Sequence, residues 1–302
     1  MRQSDLYSFD VGRFRCIAVS DGDHTYGPPA FPPPPTLLFA NAPQEPLTEA
    51  LAGHGLDADR WQAMTTPYTC LLVDTGQHLV LVDTGAGDLA PTTGRLVRNL
   101  ERAGIAPGDI DLVLLTHAHP DHVGGNTDAQ GRPAYPHARH IMCRQEWDFW
   151  MADQAEATLG EHGQDLIEFA QTSLSPIQGQ LELVEGSAEI VPGIRALDAQ
   201  GHTPGHMAVG IASGGEELLC ISDLVLHPIH LEQPTWHSTM VDVDPEQLAS
   251  TRRRLLGQAA QRQALVLAFH FAFPGLGHVR ERGQAWQWQP LSTARQRPEA
   301  GS

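Results

Sequence analysis

Within six consecutive positions the chain offers four residues of metal-ligating type, His117-Ala118-His119-Pro120-Asp121-His122. They follow the apolar run DLVLLT. Side chains alternate with a period of two along an extended strand end, so His117 and His119 project to one side and can share an ion. Pro120 turns the chain and sends Asp121 and His122 toward a neighbouring point, and Gly124-Gly125 lets the backbone pass closely. Imidazole with carboxylate suits zinc, iron, cobalt or manganese, and the lack of a thiolate favours an open catalytic site over a closed structural one.

Three further residues stand at comparable places. His202 lies in Gly201-His202-Thr203-Pro204-Gly205-His206, a tight loop between apolar strands. Asp223 ends the run LLCISD, where its carboxylate could bridge two cations and offset their repulsion, and His270 ends ALVLAFH. A lone His or Asp at a strand end is more often a cap or a solvated residue; the shared placement after buried strands sets these apart. Seven ligands exceed what one four- or five-coordinate ion takes, so two divalent ions per chain are expected, zinc first. His206 reads equally as a support for the site or as a structural residue. Phe149, Trp150, His227, His230 and Trp236 are candidate pocket walls, although aromatic residues in such segments are more often core.

These residues need a scaffold. TCLLVDTGQHLVLVDTG, residues 69–85, reads as a hairpin turning at Thr75, Gly76 and Gln77. LVRNLERAG then has helical spacing with Gly104 as its stop, and DLVLLTH reads as a buried strand. Residues 145–175 look helical, 188–226 alternate short strands with turns, and a helix over 245–260 precedes the strand ALVLAFH. Two halves, each a sheet with helices, are expected within one domain spanning 1–302. The stretch YGPPAFPPPP, residues 26–35, is expected as a rigid surface excursion without regular helix, covering either the site or a subunit partner, and residues 291–302 as a frayed tail.

Composition excludes some partners. Nineteen Lys and Arg against thirty-six Asp and Glu give a formal charge of −17, which repels nucleic acid and anionic membranes. The dense basic run Arg252-Arg253-Arg254 reads as a solvated helix face. The four cysteines form no CxxC pair and read as buried small hydrophobes. The polar opening MRQSDLYSFD and the absence of a long apolar run lead to the expectation of a cytoplasmic protein.

HAHPDH resembles the HxHxDH motif of the metallo-β-lactamase superfamily, LVDTG at 81–85 resembles its preceding strand and turn, and GHTPGH, ISD and AFH resemble its later ligand motifs in order. The segments LVDTGAGD, VPGI, DFW and FPGLGHVR are most similar to the methyl parathion hydrolase group, related to acyl-homoserine lactonases. The resemblance implies an α/β fold, an αββα sandwich of two mixed sheets flanked by helices. It implies one metal held by His117, His119 and His202, another by Asp121, His122 and His270, with Asp223 shared, and a homodimer. It also implies a hydrolase that attacks small ester-like substrates with hydroxide held between the ions: a lactone, an aryl ester or an organophosphate triester. Asp121 would orient the nucleophile and accept its proton, with Asp223 as the bridge. A β-lactam hydrolase is the alternative, and a non-hydrolytic iron enzyme or a nucleic-acid-processing protein of the same fold lies in another class. Related lactonases place a tyrosine near the bridging aspartate, whereas the four tyrosines here are Tyr7, Tyr26, Tyr68 and Tyr135, none after Asp223. Substrates with phenolate leaving groups are therefore expected to outpace unstrained alkyl esters, with lactones between.

Overall fold

Two runs of short apolar segments fold into two seven-stranded sheets, one after the other along the chain. The structure, a computed structural model, describes residues 5–152, 154–159 and 163–291. Residues 292–302 of the expected tail lie outside these. The first sheet runs in sequence order through β1 (Leu6–Val11), β2 (Phe14–Tyr26), β3 (Met64–Asp74), β4 (Leu79–Val82), β5 (Leu112–Leu114), β6 (Arg139–Cys143) and β7 (Leu181–Val184). It is antiparallel as far as β4 and parallel beyond. The second comprises β8 (Ala188–Val191), β9 (Ile194–Asp198), β10 (Met207–Ser213), β11 (Glu216–Cys220), β12 (Leu265–Leu267), β13 (Leu276–Arg282) and β14 (Ala285–Pro290). Its one parallel pair is β11 with β12.

The helices are α1 (Pro34–Leu38), α2 (Gln44–Gly53), α3 (Leu96–Arg102), α4 (Pro120–Val123), α5 (Arg144–Met151), α6 (Gln154–Leu159), α7 (Gln164–Leu174), α8 (Ile229–Glu232) and α9 (Pro245–Arg262). Strands buried on both faces explain the continuous apolar runs. Leu71, Val73, Val80, Val82, Leu112 and Leu114 enter the core between the sheets, meeting Val209, Leu218, Cys220 and Leu267. Their neighbours Cys70, Leu72, Leu81, Val113 and Leu115 face outward under α3, α5 and α7, and Leu219, Ile221 and Val266 face α9. Each such leucine contributes roughly 1.5–3 kcal/mol by leaving water. The layers are helix, sheet, sheet, helix. All four cysteines are buried and free. Among the described residues no helix is long and apolar enough to cross a membrane.

Two expectations are corrected. Arg252 does not lie on a solvated face: it is 0 % exposed. It falls on the same stripe of α9 as Leu248, Leu255, Leu256 and Ala259, and its guanidinium donates to the carbonyls of Leu224, Pro234 and Trp236, clamping the segment around α8 to α9. The proline-rich stretch is not wholly irregular either. Pro34 and Pro35 open α1, because a helix tolerates proline in its first turn, where the missing N–H has no partner to lose. Leu37, Leu38 and Phe39 then pack on Ile229 and Trp236, so the excursion is seated on its own chain around α8.

His140 on β6 is fully buried, with only the Ala138 backbone to favour its charged form. Burial pulls its pKa down to about 4. Between pH 6.5 and 4 the unfolded chain therefore takes up a proton that the folded chain refuses, and stability falls as pH drops through that window. His140→Leu should flatten the acid limb by up to about 1.4 kcal/mol per pH unit, read from denaturant melts between pH 4.5 and 7. An unchanged slope would count against this assignment.

Candidate metal centre

The motif residues sit on loops beyond the carboxyl ends of β5, β9, β11 and β12. β5 leads into His117 and His119, and α4 then carries Asp121 and His122. The β9–β10 connection carries His202, the turn after β11 carries Asp223, and the segment after β12 carries His270. Gly124 and Gly125 pass so close to the preceding turn that an added Cβ would lie 2.3 Å from the Ala86 carbonyl oxygen and 2.1 Å from that of Thr84.

The seven side chains converge as two groups, His117 with His119, His202 and Asp223, and Asp121 with His122 and His270; within each, the ligand atoms lie within 4.8 Å of one another. His119 Nδ1 is 3.0 Å from His117 Nε2 and 2.9 Å from His202 Nε2. The Asp223 carboxylate reaches both groups: Oδ1 is 3.1 Å from His122 Nε2, and Oδ2 is 3.1 Å from His270 Nε2 and 3.4 Å from His202 Nε2.

The outer ring nitrogens are fixed by partners. Asp242 Oδ1 accepts from His202 Nδ1 at 2.7 Å and Asp83 Oδ2 from His122 Nδ1 at 2.8 Å, so both rings are oriented with Nε2 facing the centre. Asp83 also accepts from the Thr116 N–H and hydroxyl, and the Ser222 hydroxyl donates to Thr116 at 2.8 Å. Asp83 and Ser222 both adopt left-handed backbone, φ 61° and 46°, which costs on the order of 1–3 kcal/mol each for non-glycine residues and here aims loops at the centre. His206 donates through Nδ1 to the Ala199 carbonyl and accepts from the Asp223 N–H; it supports the Asp223 turn.

Burial, with help from neighbouring histidines, holds His117 and His119 well below the ordinary imidazole range, in the neutral form that ligates. Burial works against charge on Asp223, but His270 and His122 outweigh it and hold its carboxyl well below the usual range. Burial likewise resists protons on His122 and His270, and Asp223 overrides it, raising both. The donor set fits cations: His122 Nε2 and Asp223 Oδ1 are buried 3.1 Å apart, with no other hydrogen-bond partner among the described residues, beside three converging imidazole nitrogens. A metal satisfies all of these at once.

The sequence profile described as the metallo-beta-lactamase superfamily matches residues 64–270, which contain all seven residues. The chain belongs to this superfamily. Among curated relatives, N-acyl homoserine lactonase AiiA of Bacillus thuringiensis subsp. kurstaki is 28 % identical over 180 residues, 52 % of this chain and 64 % of the lactonase, so the match spans less than two thirds of that relative. Among solved structures, that of AidC, a dizinc quorum-quenching lactonase in complex with a product, superposes with TM-score 0.86 at 27 % identity, covering 97 % of this chain and 99 % of AidC. The hydrolase AbOPH follows at 0.84 and 26 %, covering 97 % and 99 %.

Around the dinuclear centre of this superfamily member, the five expected pocket residues are divided. Trp150 is fully buried with its ring 5.6 Å from that of His119. Phe149 instead lines a separate groove of about 870 Å³ with Arg144, Gly201 and Pro204, which holds none of the seven ligand residues. His230 is enclosed, its Nε2–H donating to the Leu38 carbonyl, and Trp236 packs on Phe39; both seat α1 and the residue after it, whose apolar side chains need an apolar partner. His227 is half-buried among Phe39, His54 and Trp61, and burial, with His54, pulls its pKa to about 3. The sequence reading missed two tyrosines on the first sheet. The Tyr68 ring stands 5.6 Å from that of His270, and its hydroxyl meets the Tyr26 hydroxyl at 2.6 Å.

Proposed function

We propose that this protein is a dinuclear metal-dependent hydrolase of small ester-like substrates, lactones first. The observation that carries the reading is the Asp223 carboxylate reaching both ligand groups, the arrangement a bridged ion pair needs. In this reading His117, His119 and His202 hold one ion, Asp121, His122 and His270 the other, and Asp223 both; zinc is the favoured metal, on the likeness to dizinc AidC. Such a pair draws a nucleophile from water near neutral pH and polarises the substrate carbonyl.

The chain's own groups do the rest. Asp121, 8 % exposed at the mouth of the centre with Oδ2 3.4 Å from His270 Nε2, orients the attacking water and accepts its proton. Burial, reinforced by the Asp121 charge, keeps Tyr26 and Tyr68 protonated. Two phenols joined by one hydrogen bond leave one O–H free, and this proton meets the alkoxide that ring opening releases. The lack of a tyrosine after Asp223 thus does not leave the site without a donor.

The test compares an N-acyl homoserine lactone, a p-nitrophenyl ester and an aryl dialkyl phosphate on zinc-loaded protein. The lactone should turn over. Phenylalanine at whichever of positions 26 and 68 carries the free proton should lower its kcat/KM by about 100-fold while leaving the p-nitrophenyl ester nearly unchanged, because phenolate departs unaided. No lactone turnover by fully loaded protein would overturn the substrate assignment.

A further inference from the structure

Glu146, on the first turn of α5, is fully buried and is not one of the seven ligand residues. Four donors fill its carboxylate. Oε1 accepts from the Ala118 N–H at 3.0 Å and the Trp150 indole N–H at 2.6 Å; Oε2 accepts from the Thr203 hydroxyl at 2.7 Å and the Gly205 N–H at 2.9 Å. Ala118 separates His117 from His119, and Thr203 and Gly205 flank Pro204 just after His202. One carboxylate therefore ties together the two loops that carry His117, His119 and His202. The approach is tight: a Cβ on Gly205 would fall 2.1 Å from the Glu146 nitrogen, so glycine is required there for this contact. No hydrogen bond from Glu146 reaches Asp121, His122 or His270.

We propose that Glu146 is a positioning residue for one half of the centre: it sets the spacing of His117, His119 and His202 and so governs retention of the ion they hold, without governing the other. The physical reason is that Ala118 and Gly205 lie on loops outside the sheets, and a buried N–H must find an acceptor. An ionised carboxylate alone supplies four acceptor positions at one point. Glutamine keeps the shape but turns two of them into donors that face donors, which frees one loop. Ligand placement looser by about half an ångström is enough to weaken such a site.

The inference rests on the two-ion reading, and the experiment separates the two. Wild type and Glu146→Gln are loaded with Zn²⁺ and with Co²⁺; equilibrium dialysis gives stoichiometry and affinities, and the Co²⁺ absorption spectrum reports the geometry of each ion. Wild type should hold two ions. The variant should hold one at wild-type affinity and the other about 10–100-fold more weakly, with only one Co²⁺ component altered. If Glu146→Gln does not fold, Thr203→Val removes a single donor to the same oxygen and should show the same one-sided loss, near tenfold. A folded variant that keeps both ions at wild-type affinity, or weakens both alike, overturns the role of Glu146. A wild-type chain that takes up no second ion overturns the two-ion reading, and this proposal with it.

Discussion

Asp223→Asn should fold and yet lose activity on the order of a thousandfold. The side chain stands in the turn after β11 with its N–H held by His206, and asparagine keeps its volume, so the strand and turn remain. What goes is a full negative charge between the two ligand groups, the position from which it offsets the repulsion of two cations most strongly. Several kcal/mol of charge stabilisation depends on that geometry, and about 4 kcal/mol is roughly a thousandfold in rate. Elemental analysis should show at most one tightly held ion, with an unaltered circular dichroism spectrum. His137→Ala, at an exposed position, serves as the control and should change neither. Near-normal turnover with two ions in Asp223→Asn would mean that the bridge belongs to another residue.

Removal of metal should be felt across the whole fold. With free metal a thousandfold above its dissociation constant, one site adds about 4 kcal/mol to the native state, and two add about 8. For a chain of this size that corresponds to a melting temperature lower by about 15 °C after chelation. Zn²⁺ returned to the stripped protein should restore it, with a break in the titration at two equivalents. An identical melting curve with and without chelator would sink the dinuclear assignment.

How much of this was legible in the sequence depended on the range of the interaction concerned. HAHPDH is compact, and a period of two at a strand end suffices to say that His117 and His119 meet. The apolar runs of β3 to β5 and of β11 and β12 were readable as strands because both of their faces are buried. Asp223 and His270 stood out only through their position after such runs and through the family resemblance. The supporting carboxylates were invisible: Asp83, Glu146 and Asp242 look like solvated acids until the fold brings His122, Thr203 and His202 to them across 39, 57 and 40 positions. Arg252 was hidden in a run of three arginines, where composition outweighed its place on the buried stripe of α9. Tyr26 and Tyr68 were missed because a donor was sought after Asp223, whereas the pair proposed as the donor stands on β2 and β3 of the other sheet, far earlier in the chain.

Each ligand group draws on both sheets: His117 and His119 precede the second sheet while His202 and Asp223 belong to its loops, and His270 closes the group begun by Asp121 and His122. Each ion, held as proposed, would thus staple together chain halves that are made at different times. A ribosome that has released only the first sheet has exposed the whole HAHPDH motif, yet that motif cannot close around either ion, because its partners are still to be synthesised. On the proposed ligand assignment metal uptake is a late event of biosynthesis, and a loaded centre would certify that both halves have been made and have met.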